Sequence, residues 1–280
     1  MADCLSAASH QLATALGLEN REARLEARVL AAHVWQVDHA WLIAHDTDPL
    51  ADAQSTAFET LLARRLTGEP VAYLVGTREF YGRSFRVSPD VLIPRPDTEL
   101  LVEQALARMP AGQAMDVLDL GTGSGCIAIT LALERPDARV TAVDRSAAAL
   151  AIARHNAGIL DARVEFLPSD WFSALAGRRF DLIVSNPPYV PVADSHLTRG
   201  DVRFEPLHAL AAGGDGLDDL RHLIAAARAH LVPGGVLLLE HGHDQADAVV
   251  ALLHNSGYAR PQSWPDLAGI LRVSGASVSE

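Results

Sequence analysis

The chain has 280 residues, 49% hydrophobic and 21% charged, enough for a domain of ordinary size plus a smaller partner and unlike a disordered or fibrous composition. With 23 basic against 35 acidic residues the formal charge is -12, which excludes a general phosphate-neutralising surface and leaves nucleic-acid contact only to a local basic patch. Cys4 and Cys126 are too few for a disulfide framework, a zinc site or a haem attachment, and no apolar run reaches membrane length or follows a signal-peptide layout, so a reducing, cytoplasmic setting is expected.

From Leu5 to Leu66 the chain is rich in Ala and Leu at helical spacing. Leu5, Ala8, Leu12 and Ala15 form one stripe, Leu25, Val29 and Ala32 a second, and Phe58, Leu61 and Leu62 a third. Residues 1–72 are therefore predicted to form a small helical bundle, with stops at Gly17 and Gly68 and a start near Pro49. Between residues 73 and 92 the texture changes to Tyr73, Val75, Phe80, Tyr81, Phe85 and Val87 punctuated by Gly76 and Gly82, which predicts a linking β-hairpin. Residues 93–280 then alternate strand-like and helix-like segments, beginning with a helix that Asp97 can cap and that carries Leu100, Leu101 and Leu106. Strands are expected at 117–120, 140–144, 164–167, 181–184, 236–240 and near 270–273. Strands separated by helices predict a doubly wound, mostly parallel α/β sheet with helices on both faces.

The segment Asp119-Leu120-Gly121-Thr122-Gly123-Ser124-Gly125 lies directly after one strand and before the apolar helix that starts near Ile127. Backbone without side chains at a strand's carboxyl end can pass close to a ligand, so a nucleotide-like cofactor is implied. The alternative is a glycine turn that only tightens a strand-helix junction. Cys126 stands where a dinucleotide fingerprint would have its third glycine or alanine, which makes NAD a weaker fit. Asp144 closes the next strand, where a carboxylate can accept from both ribose hydroxyls, and together these features point to an adenosyl ligand. Asp170 and Trp171 follow the third strand. They could meet an adenine amino group and ring, or Trp171 could be an ordinary core residue.

Asn186-Pro187-Pro188-Tyr189 follows the buried strand that ends near Ser185, on the same sheet edge as the glycine loop and Asp144. Two prolines cannot donate to a ladder and hold φ near -65°, so they end the strand in a stiff loop with the Pro187 carbonyl free to accept. An amide nitrogen is a poor nucleophile because its lone pair is delocalised into the carbonyl. If the Asn186 side-chain oxygen and the Pro187 carbonyl each take one N–H of an NH2 group, that nitrogen is pinned and aimed, with Tyr189 lying against the planar group. No general base is needed, since the methylated nitrogen becomes acidic enough to lose its proton to water. The same clamp would serve a DNA or RNA amino group of the adenine N6 type after base extraction, and the acidic balance counts against that substrate. A non-catalytic module binding an adenosyl ligand would have no use for two acceptors aimed at one nitrogen.

Other residues carry weaker signals. Glu205 and Arg95 could line the acceptor pocket or form a loop-fixing ion pair. His241 and His243 lack the acidic or sulfur partners of a metal site, so no metal is expected. Arg64 and Arg65 read as a solvated helix face, with a docking contact as the alternative.

With these residues in hand the chain resembles the release-factor glutamine methyltransferases, the HemK/PrmC family, along nearly its whole length. The resemblance rests on the glycine loop and Asn186–Tyr189, on Gly68-Glu69-Pro70 with Tyr73 and Gly76, and on the run Leu92–Glu99. It continues through Phe204-Glu205-Pro206, Gly214–Leu217, Glu240-His241-Gly242 with Gln245, and Asp266–Gly269 with Arg272. Asp97 stands where many members have Glu. The resemblance implies a seven-stranded, Rossmann-like class I methyltransferase domain that moves a methyl group from S-adenosyl-L-methionine, leaving S-adenosyl-L-homocysteine. The acceptor it implies is the side-chain nitrogen of the glutamine in the Gly-Gly-Gln motif of peptide chain release factors. Carried over by position, Gly121, Thr122, Gly123, Ser124, Gly125, Asp144, Asp170, Trp171 and Asn186 would contact the cofactor. Asn186, Pro187, Pro188 and Tyr189 would hold the glutamine, and the helical bundle would help to dock the release factor.

Overall fold

The computed structural model describes residues 1–279 and divides into two compact units, one of residues 1–77 with 198–204, the other of residues 78–197 with the rest of the chain.

The first unit holds five helices: α1 (Ala2–Leu16), α2 (Asn20–Trp35), α3 (His39–Ala44), α4 (Asp52–Leu66) and the short α5 (Val71–Val75). Tyr73 and Val75, expected in a strand, lie in α5: Pro70 sets the first turn, and Tyr73 and Leu74 are its buried residues. The core contains Ala8, Leu12, Ala23, Ala27, Leu30, Trp35, Leu42, Phe58 and Leu62. On α2 the buried stripe carries Ala23, Ala27 and Ala31 beside Leu30 and Trp35, while Leu25, expected inside, is exposed. Arg65 also departs from expectation. Its guanidinium is buried and grips Glu26 through two bonds of 2.8 and 2.9 Å, Asp201 at 2.7 Å and the Glu69 carbonyl at 3.1 Å. A buried guanidinium persists only when its donors are matched in this way, and here the match fastens segment 198–204 to the helices.

The second unit opens with the hairpin β1 (Thr77–Phe80) and β2 (Arg83–Arg86), which meets the start of the unit at its first strand. Then follow α6 (Glu99–Leu106), β3 (Asp116–Leu120), α7 (Cys126–Glu134), β4 (Arg139–Asp144), α8 (Ala147–Leu160), β5 (Val164–Pro168) and β6 (Phe180–Ser185). The rest is α9 (Asp218–Ala227), β7 (Leu231–Glu240), α10 (Ala246–Asn255), β8 (Ala259–Pro265) and β9 (Leu271–Ser277). The sheet has seven strands in the order β5-β4-β3-β6-β7-β9-β8, parallel except for β9, which runs antiparallel to both neighbours. The doubly wound α/β fold is as the alternating segments imply.

Successive residues of each central strand go to opposite faces, and both faces are apolar. Val117, Val140, Leu182, Val184 and Leu238 join α6 and α7 in one core, while Leu118, Leu120, Ile183, Leu237 and Leu239 join α9 and α10 in the other. Strand β8 had no counterpart among the expected strands. It reads Ala-Arg-Pro-Gln-Ser-Trp-Pro, and its prolines are tolerated because it is the edge strand, with register shifts at both ends. Asp97 does not cap α6. It sits inside a 3₁₀ turn at Pro96–Thr98, its carboxylate 3.5 Å from Arg272.

Candidate active site

Four adjacent strands bring the sequence motifs to one edge. Leu120 of β3 pairs with Val143 of β4 and with Ser185 of β6, and Asp144 pairs with Pro168 of β5, so the loops after all four strands emerge side by side. The chain winds outward from β3 to β5 and returns beside β3 as β6. This reversal is the switch point at which a crevice opens outside the carboxyl ends of parallel strands. Gly121, Thr122, Gly123, Ser124, Asp144, Asp170, Trp171, Asn186 and Pro188 all line the cleft there.

The glycine loop is held by its own backbone. The N–H groups of Gly121 and Thr122 both donate to the Val143 carbonyl at 2.9 Å. Asp144 accepts from the Gly123 N–H at 2.9 Å and from the Ser146 N–H at 2.8 Å, which sets its carboxylate at the cleft wall. Gly125 does not line the cleft. It has φ of 83°, and a Cβ there would come within 2.8 Å of Ile129 and 3.1 Å of Ala153, so this glycine lets α7 pack against α8. Asp119 lies behind the loop, fully buried, with one oxygen taking the Thr122 hydroxyl at 2.6 Å and the other, Oδ1, without a partner. Burial pushes its carboxyl up to about 7.

Trp171 lines the cleft and also packs against the core on the α9 and α10 side. Its backbone is left-handed, φ 48°, a conformation that a bulky side chain adopts only when held there. The Ser169 hydroxyl donates to the Trp171 carbonyl at 2.8 Å and accepts from the Ala174 N–H at 3.0 Å. The ring is thereby laid over Gly121, where a Cβ would meet it at 3.3 Å.

At the other end of the cleft the Ser185 hydroxyl donates to the Leu120 carbonyl at 2.7 Å, locking the two strand ends together. Asn186 donates its side-chain Nδ2 to the Thr98 hydroxyl oxygen at 3.1 Å, so the other end of the amide, Oδ1, is the part left for the cleft. Pro188 faces the cleft, whereas Pro187 is buried. Tyr189 does not line it: its ring packs into the core shared with α9 and α10, and its hydroxyl donates to Glu240 Oε1 at 3.2 Å. Its backbone is fixed as well, the N–H donating to the Leu210 carbonyl at 3.1 Å and the carbonyl accepting from Gln245 Nε2 at 3.0 Å.

Several residues shape the site without a motif of their own. Buried Asn156 donates to the Ser124 carbonyl at 2.8 Å and clasps both backbone groups of Arg86, at 2.8 and 3.1 Å, which ties the hairpin to the glycine loop. Glu205 is buried and accepts from the Ile93 N–H at 3.0 Å and from the Arg95 guanidinium, so it shapes the cleft wall on which Arg95 sits. His241 and His243 are not brought together. His241 is buried between the Gly242 carbonyl and the Ser274 hydroxyl, and the His243 side chain is 72% exposed.

The comparisons with known proteins agree with this geometry. Residues 96–201 match the methyltransferase small domain and residues 3–76 the PrmC N-terminal domain. The chain is 56% identical to the release factor glutamine methyltransferase of Bordetella pertussis, over 90% of this chain and 94% of that one. It is 48% identical to that of Escherichia coli K12, over 90% and 91%. Among solved structures, a T. thermophilus 16S rRNA methyltransferase in complex with AdoMet and guanosine superposes with a TM-score of 0.54 at 25% identity, covering 72% of this chain and 49% of that one. The fold is that of an S-adenosylmethionine-dependent methyltransferase. Within that class, the chain belongs to the release factor glutamine methyltransferase family.

Proposed function

We propose that this enzyme methylates the side-chain nitrogen, N5, of the glutamine in the Gly-Gly-Gln motif of peptide chain release factors, and so modulates translation termination. The observation that carries the reading is identity of 56% with a release factor glutamine methyltransferase across both structural units, not only across the methyl-transferring one. The helical unit, residues 1–72, would then help to dock the release factor. The substrate would be met in the cytoplasm, and among the described residues no helix is long and apolar enough to cross a membrane.

The residues present fit S-adenosylmethionine. The partnerless, sealed Oδ1 of Asp119 provides negative potential for a cationic ligand, and the glycine turn leaves space that side chains would fill. Gly121, Thr122, Gly123 and Ser124 would hold it through backbone, Asp144 through its ribose hydroxyls, and Asp170 and Trp171 at the adenine. When bound, it supplies an electrophilic methyl carbon on a sulfonium. Asn186 Oδ1 and the Pro187 carbonyl would each accept one N–H of the glutamine amide and so fix the direction of its nitrogen. Pro188 would wall the acceptor position, and Tyr189 would keep the loop in place from behind. The nitrogen sheds one proton to water once it carries the methyl, so no side chain of this protein need act as base.

The test is transfer from radiolabelled S-adenosylmethionine to a purified release factor. Label is expected on the factor and absent when its Gly-Gly-Gln glutamine is changed to Ala; label that persists on that variant, or appears only on nucleic acid, rejects the assignment. Asp119 adds a pH expectation. Below about 7 its carboxyl is neutral and above it is charged, so affinity for the cationic cofactor should rise with pH from 6 to 7.5, by at most about tenfold per unit for one proton released. Calorimetric titrations at several pH values check this, and Asp119→Asn should flatten the dependence.

A further inference from the structure

We propose that the turn joining β8 to β9, with Leu267 at its tip, is a docking point for the protein substrate on the acceptor side of the cleft. It takes apolar side chains of the release factor that lie outside the Gly-Gly-Gln motif itself. This rests on the reading above that the acceptor glutamine is carried by a folded protein and is held at Asn186.

The sheet places the turn. Strand β9 runs antiparallel to both β7 and β8, so β8 runs the same way as the parallel strands and its carboxyl end lies on the edge that carries the cleft. In the order β5-β4-β3-β6-β7-β9-β8, Asp144 and Trp171 follow β4 and β5 on one side of the switch point, and β8 lies on the other side, beyond Asn186. Three strand spacings separate β6 from β8, roughly 14 Å, which is the reach of about four extended residues. A glutamine held at Asn186 therefore carries its neighbours on the factor over this edge. The two glycines of the motif have no side chains to offer, so apolar recognition has to be made further out.

The exposed apolar residues of the second unit gather on the same edge. Val192 and Leu207, 61% and 62% exposed, lie in the segment after β6, with Leu207 directly before the cleft-lining His208. Leu267, Ile270 and Leu271 lie where β8 turns into β9, and Leu267 is completely open to solvent. Among the described residues of this unit one other large apolar side chain is exposed, Ile159, which sits near the end of α8 at the opposite edge of the sheet. Single exposed apolar residues scattered over a surface are ordinary, whereas five of six on the catalytic edge mark a surface that meets a partner.

Leu267 is also held in place. Asp266 Oδ1 accepts from the Ala268 N–H at 2.8 Å and from the Ile270 N–H at 2.9 Å, and the Asp266 N–H donates to the Ile270 carbonyl at 2.8 Å. Gly269, with φ of 82°, closes the turn by donating its N–H to the Asp266 carbonyl at 3.0 Å. Arg272 Nε donates to Asp266 Oδ2 at 3.3 Å and ties the base of the turn to β9. A fully exposed leucine adds nothing to the packing of such a turn, but a leucine presented on so constrained a backbone gives up little freedom when a partner covers it.

The experiment measures initial rates of methyl transfer to a full-length release factor over a range of factor concentrations, using the full chain, saturating S-adenosylmethionine and the variants Leu267→Asp, Leu267→Met and Ile159→Asp. Leu267→Asp is expected to raise KM for the factor about tenfold or more, the scale of losing one buried leucine from a contact. Its kcat at saturation and its affinity for S-adenosylhomocysteine should stay within about twofold of the parent, which also shows that the cleft is folded. Leu267→Met, which keeps the apolar tip, and Ile159→Asp, on the opposite edge, should each stay within about twofold in every constant. Photoreactive benzoylphenylalanine placed at position 267 should cross-link to the factor, and at position 159 it should not. A KM within twofold of the parent in Leu267→Asp, an equal rise in Ile159→Asp, or cross-linking from position 267 only to a second copy of this chain overturns the proposal. If the parent labels no release factor, the substrate reading fails and the docking point falls with it; if the parent labels the factor and Leu267→Asp is indifferent, only the docking point is lost.

Discussion

Asn186→Ala will lower kcat by about 10²–10³-fold, on the scale of deleting one positioned transition-state contact, while affinity for S-adenosylhomocysteine changes little. The expectation follows from where the side chain sits. Asn186 is the residue after Ser185, whose pairing with Leu120 and 2.7 Å bond to the Leu120 carbonyl fix the strand end to within hydrogen-bond tolerance. Its Nδ2 is committed to Thr98, so truncation removes the oxygen that faces the cleft and leaves the Thr98 hydroxyl to reorient locally. The strand, the two prolines and the Tyr189 anchors are untouched, so the fold should survive. Single-turnover measurement with saturating cofactor isolates the chemical step, and turnover within twofold of the parent would show that the oxygen does not hold the acceptor. Asn186→Asp should be no rescue. It supplies oxygens but no donor to Thr98, and it places a charge beside the buried carboxyl of Glu240, which burial already pushes up to about 7.

The parts of this site that could be read from sequence are those whose chemistry is local. The glycine loop, Asp144, Asp170-Trp171 and Asn186–Tyr189 each follow a strand directly, and a parallel sheet carries all strand ends to one edge, so order along the chain translates into proximity. Partners that arrive from elsewhere have no such signal. Thr98 meets Asn186 across 88 residues, and Glu240 meets Tyr189 across 51. The Glu240-His241-Gly242 run and Gln245 stand out by resemblance alone, and nothing in their spacing says that they point at the Tyr189 side chain and carbonyl. Backbone geometry is similarly silent: neither the left-handed φ of Trp171 nor its place over Gly121 has a signal in the sequence. At the level of the fold, β8 was hidden because its prolines and polar residues suit only an edge. The α2 stripe misled because Leu25 and Val29 repeat at the same spacing as the alanines that are in fact buried.

Gly216→Ala is expected to cost more than any other single-methyl change near the site, although residue 216 does not line the cleft. Gly216 has φ of 75°, where alanine is strained, and its missing Cβ is the space occupied by the Tyr189 carbonyl oxygen, with Gln245 Nε2 only 2.8 Å away. Neither neighbour can yield cheaply. The Tyr189 carbonyl is backbone, and it already accepts from that same Gln245 nitrogen, whose Oε1 is held by the Gly242 N–H at 2.8 Å. Left-handed strain of about 1–2 kcal/mol and overpacking of about 1–3 kcal/mol therefore add, and their relief must come from moving the Asn186–Tyr189 loop. A displacement on the order of 1 Å at Asn186 would forfeit roughly 10²-fold in rate through misalignment of the acceptor nitrogen. The expected result is a fall in kcat near that size together with a loss of about 2–4 kcal/mol in urea unfolding, with product affinity retained because the glycine loop and Asp144 lie on other strand ends. Gln245→Ala in the same background should restore part of the lost turnover by making room. If Gly216→Ala loses stability yet keeps its kcat, the Tyr189 end of the loop is free to move without consequence, and the acceptor geometry must be set by Asn186 alone.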